Sequence, residues 1–289
     1  MTQYSRRKKE GTAVRVGIFA IIISALLFIF NRFTGNTEPT TPESNPEIKV
    51  ESFDFMPEGS RGQVVHNPYF VLSYSEKHEQ AEWVAYELTA DRLNENWVER
   101  TDEFLPDDRM ENGSADLADY RNSGYDRGHL APAADMAFSE EAMRYSFLLS
   151  NISPQAKNFN KGIWRELEEL TRAWAKQNKA LYVVTGPILS EAPKGTIGEN
   201  EVSVPTAYYK VLLDVTEPQV KGVGFLIPNA VSFEPLYEFA VSIDEVEKRT
   251  GFDFFPNAAP EAIEQNFNLD LWEFSKKKHD LRVNKWNKE

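Results

Sequence analysis

The chain has 289 residues, a formal net charge of −13 and an ordinary globular composition, with 41% apolar and 27% charged residues. It contains no cysteine, which excludes disulfides and thiolate metal sites and, with them, most structural zinc. The acidity argues against a general electrostatic grip on nucleic acid.

The charge is uneven along the chain. Residues 1–34 carry a net +5 and the remainder −18. Arg6–Lys9 and Arg15 precede an apolar run, Val16–Phe30, and Arg32 closes it. The run is shorter than the roughly 20 residues a bilayer core needs, but flanking arginines can snorkel and extend it. Residues 14–34 therefore read as a transmembrane signal anchor. Residues 1–13 read as its cytoplasmic basic tail, because basic flanks stay inside. Everything after Arg32 would lie across the membrane, on the periplasmic or extracellular side. A cleaved signal peptide is the alternative, and either reading exports the rest of the chain. Residues 35–47 are rich in Pro, Thr, Glu and Asn and read as a disordered linker. A folded domain of about 240 residues, 48–289, remains, enough for one sizeable core.

Within that domain, His66–Tyr74 and Glu82–Leu88 have the aromatic and β-branched character of strands. Leu105–Asn122 is polar, with Asn112-Gly113 as a turn signal, and reads as a long surface loop. Tyr125–His129 is a short extended stretch, and Leu148–Ile152 a second. Lys161–Gln177 is the clearest helix: Ile163, Leu167, Leu170 and Trp174 recur at helical spacing along one face. Ala180–Thr185, Ala207–Asp214 and Gly222–Ile227 are further strands, and Ile243–Thr250 is a short helix ended by Gly251. The sum is an α+β domain with a mixed, largely antiparallel sheet.

Two pieces carry chemistry. One is Asp126-Arg127-Gly128-His129. The other is Asn160, at the mouth of the helix that carries Glu168 and Arg172. Hydrolysing a phosphodiester requires a deprotonated water, charge stabilisation at phosphorus and relief for the leaving oxygen. A neutral imidazole, with an ordinary pKa of about 6.5, supplies a base for the water. A Mg²⁺-like ion keeps most of its waters and needs few protein ligands, so the Asn160 amide oxygen suffices as a direct one. Glu168 lies eight residues further along, roughly 12 Å of helical rise, and suits a hydrogen bond to metal-bound water rather than the ion itself.

Together the stretches DRGH (126–129), SNISPQ (150–155) and NKGIWRELEELTR (160–172) resemble the DNA/RNA non-specific endonuclease family and its ββα-metal site. Weaker echoes are WVAYELT (83–89), YVVTGPI (182–188) and VPTAYYKV (204–211), so the resemblance spans about Val65 to Phe255. It implies a Mg²⁺-dependent endonuclease acting on DNA and RNA with little sequence preference, Mn²⁺ or another divalent ion being an alternative. His129 would be the general base, Asn160 the metal ligand and Glu168 the holder of metal water. Arg127 would contact phosphate in catalysis and binding. Asn151 and Arg172 match supporting, substrate-binding positions. Arg100 is the candidate for an upstream arginine near the scissile phosphate. The resemblance leaves a homodimer and an inhibitor protein open.

Other readings stand beside these. The same fold could be a catalytically silent module, tethered to the membrane and binding nucleic acid or a protein. The same chemistry could serve a small phosphodiester. Asn160 could be a helix N-cap, and Glu168 with Arg172 a solvated i, i+4 ion pair. His66, His78 and His279 read as structural, Trp164 and Trp174 as core, and Lys276–Lys278 as a solvated helix face.

Overall fold

The computed structural model describes residues 55–95, 97–216, 219–259 and 261–288. The expected basic tail, anchor and linker (1–13, 14–34 and 35–47) lie outside the described residues. Among the described residues no helix is long and apolar enough to cross a membrane.

Strands β1 (Gln63–His66), β2 (Val71–Ser75) and β3 (Gln80–Thr89) open the fold. The stretch expected as one strand over His66–Tyr74 is thus the bend of a hairpin. Pro68 cannot donate to a ladder, and the Asn67 N–H turns back to the Phe70 carbonyl at 2.9 Å. Helix α1 (Ala90–Asn94) comes next, capped by the Thr89 hydroxyl. The long polar loop contains a short helix, α2 (Leu117–Tyr120), which Asp116 and Asp119 hold in a capping box. Beyond it lie strand β4 (Tyr125–His129), helix α3 (Glu140–Ser146) and strand β5 (Ile152–Ala156). Leu149–Asn151 is a 3₁₀ turn rather than extended, so β5 begins where the expected second stretch ends.

A π-turn, Phe159–Trp164, leads into helix α4 (Arg165–Asn178). Strands β6 (Ala180–Pro187), β7 (Thr196–Ile197), β8 (Val202–Ser203), β9 (Ala207–Asp214), β10 (Lys221–Pro228) and β11 (Ala240–Val241) succeed it. Helices α5 (Ile243–Thr250), α6 (Glu261–Gln265) and α7 (Lys276–Asn284) complete the chain. Gly251 ends α5 in the left-handed region at φ 79°, where a side chain would be strained.

Seven strands form one antiparallel sheet in the order β1-β2-β3-β6-β9-β10-β11. Alternation along β10 turns Phe225 to one face and Gly224 to the other. On the first face Trp174 of α4 stacks over Phe225 with ring centroids 6.2 Å apart. On the second, the missing side chain of Gly224 lets Val246 of α5 pack close. The expected stripe Ile163, Leu167, Leu170 and Trp174 is buried in this core.

Strands β4 and β5 form a separate hairpin. A second, smaller core of Phe104, Tyr120, Phe147, Ile152 and neighbours lies under it. The hairpin is bolted to the sheet through β5. The Tyr208 hydroxyl donates to the Pro154 carbonyl at 2.8 Å, and Ser153 donates to Gln80 at 2.5 Å. Asn229 accepts from the Ala156 N–H at 2.7 Å and donates to the Pro154 carbonyl at 3.1 Å.

Trp174 joins Phe225, Trp272 and Phe274 in one aromatic cluster. Trp174→Ala is expected to cost about 3–5 kcal/mol in urea unfolding, as large-to-small changes in a close-packed core do. A cost below about 1 kcal/mol would show that α4 is not keyed to the sheet there.

Candidate active site

The hairpin and the helix after it place the motif residues. In β4 the backbone alternation puts Arg127 and His129 on one face and Asp126 and Gly128 on the other. Gly128 is required by packing: a Cβ there would run into the side chain of Gln155 on β5.

Asn160 is the second residue of the π-turn. Such turns widen a helix locally and often occur at functional sites. The residue before the turn, Asn158, makes no side-chain cap, and the Asn160 side chain does not cap either. Its Nδ2 instead crosses to the hairpin and donates to Asp126 Oδ2 at 3.1 Å. That bond turns the amide so that its oxygen is left without a protein partner. Asp126 thus fixes Asn160.

His129 is buried, its ring edge-on to Phe147 at 4.7 Å and tilted against Phe104 at 5.6 Å. Its Nε2 is buried with no hydrogen-bond partner. Burial, then the charges of Arg100 and Arg127, push its pKa down to about 3. The imidazole is therefore neutral at physiological pH, with a lone pair not engaged by the protein.

Arg100 and Arg127 flank this ring. The Arg100 guanidinium lies 4.9 Å above the Phe147 ring and that of Arg127 4.2 Å above Phe104. Arg100 is also held by Asp102 at 2.6 Å. Both arginines, with Asp126, Lys157 and Asn160, line a groove of about 590 Å³. Arg100 comes from a segment far upstream in sequence, yet its charge reaches both His129 and Glu168.

Glu168 sits two turns beyond Asn160, on α4, and is only partly open to solvent. Burial raises its carboxyl, opposed by the charges of Arg172 and Lys210. It is not the solvated partner of Arg172. Arg172 Nη1 pairs with Asp135 Oδ1 at 2.8 Å, and the other oxygen of Asp135 accepts from the Tyr86 hydroxyl at 2.7 Å. Burial works against the charge of Arg172, but Asp135 and Glu168 more than offset it and hold its pKa above the usual value. Arg172, expected as a substrate-binding residue, thus has one guanidinium nitrogen on Asp135, and the charge of Glu168 lies close enough to favour its cation. Asn151 is corrected. It is wholly buried, its Oδ1 accepts from the Ala131 N–H at 2.9 Å, and its Nδ2 donates to the Ala131 and Ser146 carbonyls. It shapes the turn before β5 and has nothing left for a substrate.

Sequence reasoning missed two members of the site. Asp135 gave no signal, being one carboxylate in an unpatterned stretch. Lys210 did: it interrupts the apolar strand β9. Its Nζ is buried without a hydrogen-bond partner, 5.1 Å over the Trp164 ring. Burial lowers its pKa, opposed by Glu168 and Asp135. Two of the other histidines have side-chain partners away from the groove: His78 bonds Ser203 at 3.0 Å and His279 bonds Arg282 at 3.0 Å.

The donor set suits one kind of ion. Among the described residues no group of three His, Cys, Asp or Glu side chains could hold a metal. A thiolate or multi-carboxylate cage is thus absent there. An unpartnered amide oxygen beside a carboxylate fits a hard divalent ion that keeps its water shell.

The depressed histidine makes a pH prediction. The folded value near 3 lies below the ordinary 6.5, so between them the unfolded chain binds the extra proton. Stability from the neutral ring is complete above 6.5 and is lost as pH falls toward 3, each unit of separation being worth about 1.4 kcal/mol. The stability difference between the parent and His129→Ala should shrink steadily over that acid range. A difference that stays flat with pH refutes a buried neutral imidazole. Asn151→Ala should cost about 2–4 kcal/mol in the same unfolding assay, because it strands buried backbone groups.

Comparison with known proteins shows the family. Residues 51–261 match the family model described as DNA/RNA non-specific endonuclease. Over 201 residues the chain is 37% identical to mitochondrial endonuclease G of Homo sapiens, covering 65% of this chain and 68% of that one. It is 30% identical over 276 residues to a nuclease of Nostoc sp., covering 86% of this chain and 95% of that one. The crystal structure of an EndoG/EndoGI complex, which concerns the mechanism of EndoG inhibition, aligns with TM-score 0.65 at 30% identity over 70% of this chain and 89% of that one. The chain is a nuclease, a hydrolase belonging to the DNA/RNA non-specific endonuclease family.

Proposed function

We propose that this nuclease cuts DNA and RNA by direct attack of water on phosphorus, with His129 as general base and Asn160 as the protein ligand of Mg²⁺. One observation carries the reading. The Asp126–Asn160 hydrogen bond joins the strand that ends in His129 to the turn that opens the helix, beside a groove lined by two arginines.

Nucleases of this family depend on a divalent ion. Bound at Asn160, the ion would stabilise the charge developing on the leaving 3′-oxygen. The remaining work belongs to the chain. His129 takes one proton from the attacking water, so the new P–O bond forms as the P–O3′ bond breaks; the leaving 3′-oxygen takes a proton from solvent water to become a hydroxyl, and the other product carries a 5′-phosphate. Arg127 and Arg100 hold the non-bridging phosphate oxygens and their growing charge. Burial is the main cause of the depressed His129, and the two guanidinium charges add to it; a bound phosphate offsets that second contribution. Glu168, backed by Arg172 and Lys210, orients water near the ion.

The apolar run Val16–Phe30, with its basic flank, supports a membrane-tethered nuclease working on the exported side. Export would keep an unspecific nuclease from the cell's own genome.

The test uses supercoiled plasmid and RNA, with Mg²⁺ or with EDTA. His129→Ala is expected to lower kcat by about 10²–10⁴-fold. Asn160→Ala should raise the Mg²⁺ concentration needed for half-maximal rate. Arg127→Ala should act on both KM and kcat. Retention of nucleic acid without cutting would favour a silent binding module, and cutting confined to short diesters a small substrate. Cutting by His129→Ala at the parent rate would end the general-base assignment.

A further inference from the structure

The chain after residue 261 lies beyond the family match, and its last helix is built against α4. The contacts fall on a face of α4 that points neither to the sheet nor to the groove. Arg282 is wholly buried and its Nε donates to Glu166 Oε2 at 2.5 Å. Its Nη2 donates to the Glu234 carbonyl at 2.6 Å, and its Nη1 donates to the Ser232 carbonyl. Lys278 pairs with Glu169 one turn further along. The Arg165 guanidinium lies 4.2 Å over the buried ring of Trp286.

The strap reaches into the π-turn itself. The turn leaves helical geometry at Gly162, with φ −100° and ψ −109°. Asn287 covers that residue so closely that a Cβ on Gly162 would lie 2.5 Å from Asn287 Oδ1. Asn287 is in turn fixed by its Nδ2, which donates to the Ser232 carbonyl at 2.8 Å. Arg282 and Asn287 thus share one backbone anchor, Ser232, the first holding Glu166 in the first turn of α4 and the second covering Gly162 in the π-turn before it. Gly162 is two residues from Asn160, whose own side chain reaches only Asp126.

We propose that the C-terminal strap, residues 276–288, is a positioning device for the metal ligand: it sets the π-turn so that the Asn160 amide oxygen faces the ion. This rests on Asn160 being the ligand, as read above. A helix end held by one side-chain bond would let the amide swing. Packing on the outer face of the same turn restricts it, and residues that orient a ligand commonly change metal affinity by an order of magnitude or more. Of the three lysines, Lys278 joins the strap through Glu169, while Lys276 and Lys277 are exposed, as expected of a solvated helix face.

The experiment uses the full chain and Mn²⁺ as the probe. Free Mn²⁺ is read by electron paramagnetic resonance, cutting rate by plasmid nicking at saturating Mn²⁺, and stability by urea midpoint. Asn287→Ala and Trp286→Ala are expected to raise the Mn²⁺ dissociation constant about tenfold, with kcat at saturation within about twofold of the parent. Arg282→Leu should do the same and Arg282→Lys should recover part of the affinity. Should Arg282→Leu not fold, the milder Asn287→Ala decides. A strap that only supports the fold would lower the urea midpoint and leave the Mn²⁺ constant at the parent value; that result overturns the inference. Asn160→Ala separates the two readings. If it binds Mn²⁺ as the parent does, Asn160 is not the ligand. If it loses Mn²⁺ while the strap variants keep it, the strap inference alone fails.

Discussion

The site depends on a hydrogen bond between two chain segments that belong to different cores. Asp126 ends its reach at the Asn160 amide. Asp126 stands on a hairpin seated on the smaller core, while Asn160 opens a helix keyed into the larger one. That bond ties the strand that carries His129 directly to the turn that carries Asn160, in addition to the short chain link from β5 to the turn. The hairpin is therefore anchored elsewhere with unusual thoroughness. Tyr208, Gln80 and Asn229 all bind β5, and the paired strand β4 carries His129.

Charge in this site is arranged in two layers. At the surface, Arg100 and Arg127 are cations in partial contact with water, resting on Phe147 and Phe104. Their aromatic seats hold the guanidinium planes without using their hydrogen-bond donors. Beneath Glu168, Arg172 and Lys210 face Asp135 in a low-dielectric setting, where charges interact over longer distances. Glu168 lies between the layers. Burial favours its neutral form and the two cations favour its anion, so its protonation answers to whatever cation approaches from the groove.

Much of the architecture was legible because periodicity and turn chemistry agree there. The buried stripe of Ile163, Leu167, Leu170 and Trp174 comes from 3.6-residue spacing, and Gly251 marks the end of α5 by its positive φ. The bend at Asn67-Pro68 was visible in principle, since proline breaks a ladder, but the apolar run around it reads as one strand. The motif residues were legible as types and spacing. Their partners were not. Nothing in the sequence says that Arg172 will find Asp135 rather than Glu168, or that the Asn151 amide will be consumed by the Ala131 backbone. Both are long-range choices made by packing. Lys210 was the exception, a charge within an apolar strand that a closer reading of β9 would have marked.

The acidic bulk of the chain and its polyanionic substrate class are reconciled by locality. Screening confines surface charges to about 8–10 Å at physiological ionic strength. The net −18 of residues 35–289 therefore repels a distant polymer weakly but does not reach into the groove. There Arg100, Arg121, Arg127 and Lys157 face only Asp102 and Asp126, and each carboxylate is already engaged, by Arg100 and by Asn160. A phosphate in the groove meets an excess of cations over carboxylates at contact range and receives little long-range attraction. Binding of this kind rests on few phosphate contacts, so it gives up general affinity for duplex or single strand and keeps the charge where the bond breaks. In the proposed arrangement the arginines grip the substrate's backbone and not its bases, which suits cutting without sequence preference.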